Sequence, residues 1–307
     1  MNDISFFVGW IFLALLGPFF HGWANVLDNV LTNQRVQNVF SLIVFTSFFN
    51  FFFLPLVWLF DKPSWPDVWV FPVFALLGLV NILYSYPYYR ALQEEDTSVV
   101  AALFALGKIF VPILAFLFVG ERLEPLQYVG FFVIVAASVA LSLRSWSDLH
   151  LNAALGFMLL VSFFLAWEAV GFKFLFEHGV GWGTAVAGQS VFAIAWVLLL
   201  LVVPGIRRGM TESWRSFRPA APFFVVEEFL TFAGSAASTY AFFLVPITFV
   251  TSVGSFQPFF VLFYAIVFRK KLSGFFKEAI DRTSLVRKLF FFFVMFAGIV
   301  LMAVSGG

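Results

Sequence analysis

The chain has 307 residues, of which 62% are hydrophobic and only 11% are charged. Its mean hydropathy of +0.98 is far outside the soluble range, in which charged residues make up about 25%. A net charge of +1 gives no basic field for nucleic acid, and the lack of cysteine excludes disulfides and thiolate sites. The three histidines share no metal-ligand spacing, so no metal or other cofactor is expected. The composition therefore predicts a protein that resides in a lipid bilayer.

The chain in order predicts a bundle of membrane-spanning helices. The opening MNDISFFVGW carries Asp3 instead of a basic region and lacks a cleavage site, so it predicts a first spanning helix and not a removed signal peptide. A hydrocarbon core needs roughly 20 apolar residues per helix. By that measure about ten spans are predicted: 5–28, 38–60, 68–91, 97–119, 125–143, 153–176, 181–203, 220–244, 247–268 and 288–305. No β-barrel alternation occurs, so the fold class is an all-α membrane protein.

The predicted connections are mostly short and polar, and Gly205–Pro219 is one of them. Only Arg269–Lys288 is long enough to form an additional amphipathic helix at the interface. Most of the eighteen basic residues lie in odd-numbered connections. By the positive-inside rule this charge bias places both termini outside the cytoplasm.

The two halves of the chain resemble each other. GWANVLDNVL (22–31) is similar to AWEAVGFKFL (166–175), and residues 97–123 align with 248–272. Five helices in each half must have opposite membrane orientations, because five is odd. We therefore predict two inverted five-helix repeats, 1–147 and 148–307, with a substrate site near the midplane between them.

Lys108 is the most unusual residue, because it lies near the middle of the fourth span. A cation there costs about 2.5–3.5 kcal/mol on insertion scales, so such residues are usually functional. Pro112 follows four residues later and should free the carbonyl of Lys108. The site would then offer an ammonium group and a backbone acceptor to a polar solute. The alternative is a buried Lys–Glu pair that only holds helices together.

Other polar residues within the spans are candidates for substrate binding. Glu168 and one of the adjacent Glu227 and Glu228 are possible counter-charges to Lys108. Adjacent glutamates point about 100° apart, so we expect at least one of that pair at the interface. A carboxyl group in such a site could also bind and release a proton during transport.

The remaining candidates lie on three further spans. Gln257 is aligned with Lys108 and is followed by Pro258, and we expect it to hydrogen-bond the substrate. His21 and Asn25 share a helical face with Asp28, which we expect at the water boundary. The third span contributes a polar and aromatic stripe, in which Asn81 and Tyr84 are favoured over Tyr88 and Tyr89, since tyrosines near helix ends usually belong to the interfacial belt.

The residues at the end of the fourth span resemble a known family. The helix closes in Gly120-Glu121-Arg122-Leu123, and EPLQYVGFFVIVAASVAL follows it. SYPYYRALQEEDTSVVAALF and SVGSFQPFFVLFYAIVF are similar to other helices of the same family, the EamA-like branch of the drug/metabolite transporter superfamily. The resemblance implies a ten-helix carrier of the inner cell membrane whose cavity is lined by the first, third, fourth, sixth, eighth and ninth helices.

The sequence departs from the family at two places. Lys108 stands where the family often has proline, and the second repeat has Arg269-Lys270-Lys271-Leu272 in place of the GERL sequence. The second departure suggests that Glu121 mainly shapes a loop. The family also implies that both termini lie inside, contrary to the charge bias, so the orientation stays open.

The expected function is secondary transport of a small polar or amphipathic metabolite, carboxylate-bearing or amino-acid-like, by alternating access. Protons are a possible coupling ion, and the family implies export. A multidrug exporter of the same fold is the alternative. A membrane-embedded lipid-modifying enzyme is disfavoured, because no cluster of nucleophilic or acid–base residues occurs at the interface, and we expect the protein not to be an enzyme.

Overall fold

A computed structural model describes residues 3–95, 97–142, 153–267 and 282–304. Every regular element in these ranges is helical. The α-helices are α1 (Asp3–Val30), α2 (Val39–Phe52), α3 (Phe71–Glu94), α4 (Thr97–Gly107), α5 (Phe110–Val119), α6 (Pro125–Ser142), α7 (Ala153–Glu177), α8 (Trp182–Leu200), α9 (Pro204–Leu244), α10 (Ile247–Gly254), α11 (Gln257–Val267) and α12 (Arg282–Val304). Short 3₁₀ or π turns occupy Leu31–Arg35, Leu54–Leu59 and Val68–Val70.

The helices have the lengths and composition of membrane spans. Six of them are individually long and apolar enough to cross a bilayer, and shorter apolar helices accompany them. When α4 is counted with α5 and α10 with α11, the described ranges contain ten spans close to the predicted ones. The prediction of an all-α, multi-pass membrane protein is confirmed.

Helix α9 differs most from the sequence prediction. Its 41 residues include Gly205–Pro219, which was predicted to be a connection, so that part of the prediction was wrong. Pro204 starts the helix, where a missing N–H costs nothing, and Pro219 and Pro222 are accommodated inside it. The extra amphipathic helix predicted within Arg269–Lys288 lies largely outside the described residues, and its last residues belong to α12.

Two spans are broken near their middles. The fourth span is interrupted at Lys108 and Ile109, between α4 and α5, and the ninth at Ser255 and Phe256, between α10 and α11. The carbonyl of Lys108 is not free as predicted, because it accepts a hydrogen bond from the N–H of Val111 at 2.9 Å. Pro112 thus breaks the helix into a turn that uses this carbonyl.

The helices that enclose the interior pack closely through small residues. A Cβ added to Gly17 on α1 would clash with Ser238 Oγ on α9, and one added to Gly234 would lie 2.9 Å from His21 Nε2. On α3, a Cβ at Gly78 would lie 2.5 Å from the backbone nitrogen of Ala193 on α8. These close approaches bring polar residues of several spans to one interior space.

Candidate functional site

The bundle contains a partly open cavity of about 310 Å³, lined by residues of several spans. All eight residues predicted to bind substrate lie on its wall: His21, Asn25, Asn81, Tyr84, Lys108, Glu168, Glu228 and Gln257. The sequence predicted that these residues line one cavity, and their role in substrate binding stays a prediction. The volume is at the lower end of the range of about 300–1,000 Å³ that ligand pockets occupy.

Lys108 lies at the helix break between α4 and α5 and faces the matching break of the ninth span. A Cβ added to Gly254, the last residue of α10, would lie 3.0 Å from Lys108 Nζ. The carboxyl end of a helix carries partial negative charge, which favours an ammonium group at this place. Within the described ranges the ammonium forms no ion pair and donates no hydrogen bond to a side chain. The alternative of a Lys–Glu pair therefore has no support in these ranges.

Glu168 on α7 is held by two amide side chains. Asn81 Nδ2 donates to Glu168 Oε1 at 3.3 Å, and Gln189 Nε2 on α8 donates to the same oxygen. This arrangement fixes the carboxyl group on the cavity wall between α3, α7 and α8. Two amide donors on one oxygen fix the orientation of the carboxyl group relative to the cavity.

A second acidic group is formed by Asp28 on α1 and by Glu227 and Glu228 on α9. All three carboxyl groups are buried, with side-chain exposures of 5%, 1% and 4%, and all three line the cavity. The expectations that Asp28 lies at the water boundary and that one glutamate lies at the interface were therefore wrong. Helix α1 continues to Val30 and then into a π turn, which places Asp28 deeper than its sequence position suggests.

Hydrogen bonds connect this acidic group to two other helices, α2 and α3, and to Thr231 on α9 itself. Tyr88 OH donates to Asp28 Oδ2 at 2.8 Å, and Asn50 Nδ2 donates to Glu228 Oε2 at 3.2 Å. Thr231 Oγ1 donates to Glu227 Oε1 at 2.7 Å. Three buried polar atoms around the group have no hydrogen-bond partner among the described residues: Asn25 Nδ2, Asp28 Oδ1 and Glu227 Oε2. Such unpaired atoms are costly unless something that enters the cavity pairs with them.

Tyr88 and Tyr89 are also cavity residues, contrary to the prediction of an interfacial position. Each is only 6% exposed, and their rings lie 5.2 Å apart. Asn50 on α2 and Gln189 on α8 were not among the predicted residues, and neither helix was expected to contribute to the cavity. A single amide within an apolar span was the only indication in the sequence, and such amides more often join two helices.

His21 and Gln257 lie where the first span meets α9 and α11. The ring of His21 packs against Gly234, and the backbone carbonyl oxygen of Gln257 would lie 3.4 Å from a Cβ added at Gly22. Gln257 begins α11, directly after the helix break at Ser255 and Phe256. Both side chains therefore reach the cavity near the two helix interruptions.

The multi-pass helical fold and the cavity lined by ionisable side chains are features of a membrane transporter. Residues 8–143 match the sequence model of the EamA-like transporter family. The match includes the GERL helix, so the resemblance to the EamA-like branch of the drug/metabolite transporter superfamily is confirmed over these residues. Members of this family are transporters.

Comparison with known structures extends the fold similarity over the whole chain. A solved structure described only as the crystal structure of a protein is similar with a TM-score of 0.65 and 14% identity. The similarity covers 96% of this chain and 95% of that one. A comparison with curated protein sequences gives no match.

Proposed function

We propose that the protein is a secondary carrier that moves a small zwitterionic, amino-acid-like metabolite across the cell (inner) membrane by alternating access, in the direction of export. The observation that carries this proposal is that two broken helices face each other at a cavity lined by charged side chains. Discontinuous helices near the midplane are a common means by which transporters bind polar solutes. The predicted inverted repeats, 1–147 and 148–307, would place the breaks at equivalent positions.

The charges on the wall favour a solute that carries both signs. Among the described residues, the cavity is lined by one ammonium group, Lys108, and by four carboxyl groups, Asp28, Glu168, Glu227 and Glu228. Lys108 lacks a side-chain partner and can pair with a carboxylate of the solute, whereas the carboxyl groups can pair with its amine. An anion without an amine would meet uncompensated repulsion from the acidic walls.

Protons are the coupling ion that we propose. Asp28, Glu227 and Glu228 are buried, line the same cavity and form no ion pair with a described residue. Three such carboxyl groups in a low-dielectric interior hold fewer than three negative charges, so they bind protons that a passing solute can displace. The described residues contain no group of three side chains placed to hold a metal ion.

The alternative of a multidrug exporter has less support. Aromatic rings do contribute to the wall, among them Tyr84, Tyr88 and Phe104. Pockets for drug-sized molecules measure about 300–1,000 Å³, so this cavity of about 310 Å³ is at the lower limit, and one ammonium group and four carboxyl groups line it. An ordinary metabolite fits the volume and the charge better.

A counterflow measurement in proteoliposomes tests the proposal. Labelled amino acids would be exchanged against an unlabelled amino acid, its decarboxylated amine and its deaminated acid. The zwitterion should drive exchange well, and the amine or the acid alone poorly. A protein that moves lipophilic cations but no zwitterion would instead be a multidrug exporter, and equal competition by all three solutes would contradict the proposed recognition by both charges.

A further inference from the structure

The corner between α9 and α10 forms part of the cavity wall. Only Val245 and Pro246 separate the end of α9 from the start of α10. Phe242 just before the corner and Val250 just after it both line the cavity. Any contact that fixes this corner therefore also fixes the position of the wall.

Glu121 holds the α10 side of the corner. The N–H groups of Ile247 and Thr248 lie in the first turn, where no acceptor exists within the helix. Glu121 Oε2 accepts the N–H of Ile247 at 2.9 Å, and Glu121 Oε1 accepts the N–H of Thr248 at 3.1 Å. The hydroxyl of Thr248 also donates to Oε1. A carboxylate thus binds the positive end of a helix.

The position of Glu121 depends on the residue before it. Gly120 ends α5 in the left-handed conformation, with a φ of 66°, which other residues adopt only at a cost. This turn directs the chain out of α5 so that Glu121 reaches a helix 126 residues further along the sequence. The expectation that Glu121 mainly shapes its own loop missed this contact.

Lys173 holds the α9 side of the corner. Its Nζ, on α7, donates to the carbonyl oxygens of Phe242 and Val245, each at 3.3 Å. Carbonyls at the end of a helix lack partners within the helix and carry partial negative charge. Each of the two side chains thus carries a charge opposite in sign to the partial charge of the helix end that it binds. Neither Glu121 nor Lys173 lines the cavity.

We propose that Glu121 and Lys173 are positioning residues that hold the α9–α10 corner against α5 and α7, and that this corner must be released when the carrier opens the cavity toward that side of the bundle. The proposal rests on the proposed carrier function, because alternating access requires a wall of the cavity to move. Two ionic contacts to helix ends can break and form again without unfolding a helix. They therefore set the population of the conformation described here.

The native chain has no cysteine, so a single cysteine at Val250 reports on the exposure of this wall. We expect Glu121→Gln and Lys173→Gln each to increase its rate of modification by a water-soluble thiol reagent, without any solute, by about three- to thirtyfold. Glu121→Asp and Lys173→Arg keep the charges and should restore most of the protection. Glu124→Gln and Lys62→Gln remove exposed charges on nearby connections and should leave the rate unchanged.

Unchanged modification in both glutamine variants would overturn the proposal, as would equal rates in the glutamine and charge-retaining variants. If Glu121→Gln does not accumulate as folded protein, Lys173→Gln alone decides, because it acts on the other side of the same corner. Transport with unchanged modification refutes only the positioning role. Absence of transport by the wild-type protein refutes the proposed function and with it the role in transport.

Discussion

Replacing Lys108 by methionine should weaken solute binding without weakening the fold. The ammonium has no side-chain partner in the described ranges, so its removal leaves no buried group unpaired. A cation at this depth costs about 2.5–3.5 kcal/mol, and the end of α10 returns only about 0.3–1 kcal/mol of that. Because Lys108 is partly exposed to the cavity, the free energy of unfolding should stay the same or rise by at most about 2 kcal/mol.

The affinity for the solute, in contrast to the stability, should fall. A hydrogen bond to a charged group contributes about 1.5–3 kcal/mol, so loss of the ammonium should raise the Kd of a transported zwitterion about 10- to 100-fold. Thermal unfolding in detergent measures the change in stability, and titration calorimetry measures the change in the Kd of the solute. Lys62→Met, on an exposed connection, is the matched control for both. A Lys108→Met protein that is clearly less stable but binds normally would show that the lysine only holds the helices together.

Three further predictions address coupling and packing. Glu227→Gln should abolish accumulation driven by a pH gradient but preserve counterflow, because glutamine cannot exchange a proton, and persisting accumulation would contradict the assignment. Phe224→Ala should lower the free energy of unfolding by about 3–5 kcal/mol and leave the KM for transport unchanged, since this fully buried ring does not line the cavity. A smaller loss of stability would mean that neighbouring side chains fill the space that the ring leaves. Gly78→Ala should lower the free energy of unfolding by about 1–3 kcal/mol, because its methyl group would clash with the backbone of α8. Gly156→Ala has open space around it and should leave the free energy of unfolding almost unchanged. Equal effects of the two substitutions would contradict the close contact between α3 and α8.

The sequence was sufficient to predict the spans and most of the candidate site. Ten apolar segments and an intramembrane cation follow directly from the cost of polar groups in lipid. The sequence aligned Gln257 with Lys108, but it did not predict that a helix break lies at Lys108 and another directly before Gln257. The breaks become visible only in the structure, because proline permits a kink, a turn or an intact helix depending on its neighbours.

The wrong predictions concern side chains whose environment depends on their depth in the bundle and on the rotation of their helix about its axis. Asp28 and Tyr88 were assigned to the boundary by counting residues to predicted helix ends, but α1 continues to Val30 and α3 to Glu94, beyond those ends. Glu227 and Glu228 are both buried, because α9 packs against both α1 and α2. The contact of Glu121 with α10 joins distant parts of the chain, and no local pattern indicates it.

The most direct test of the account is protection of a cavity cysteine by the transported solute. Thr251 lies on α10 about one turn before Gly254, the residue that Lys108 Nζ approaches, and Thr251 lines the cavity. A zwitterion that the protein transports should slow modification of Thr251→Cys at concentrations close to its KM, and it should leave Ser216→Cys, which is exposed outside the cavity, unaffected. Transport without any protection of Thr251→Cys would show that the solute crosses elsewhere and would contradict the central claim.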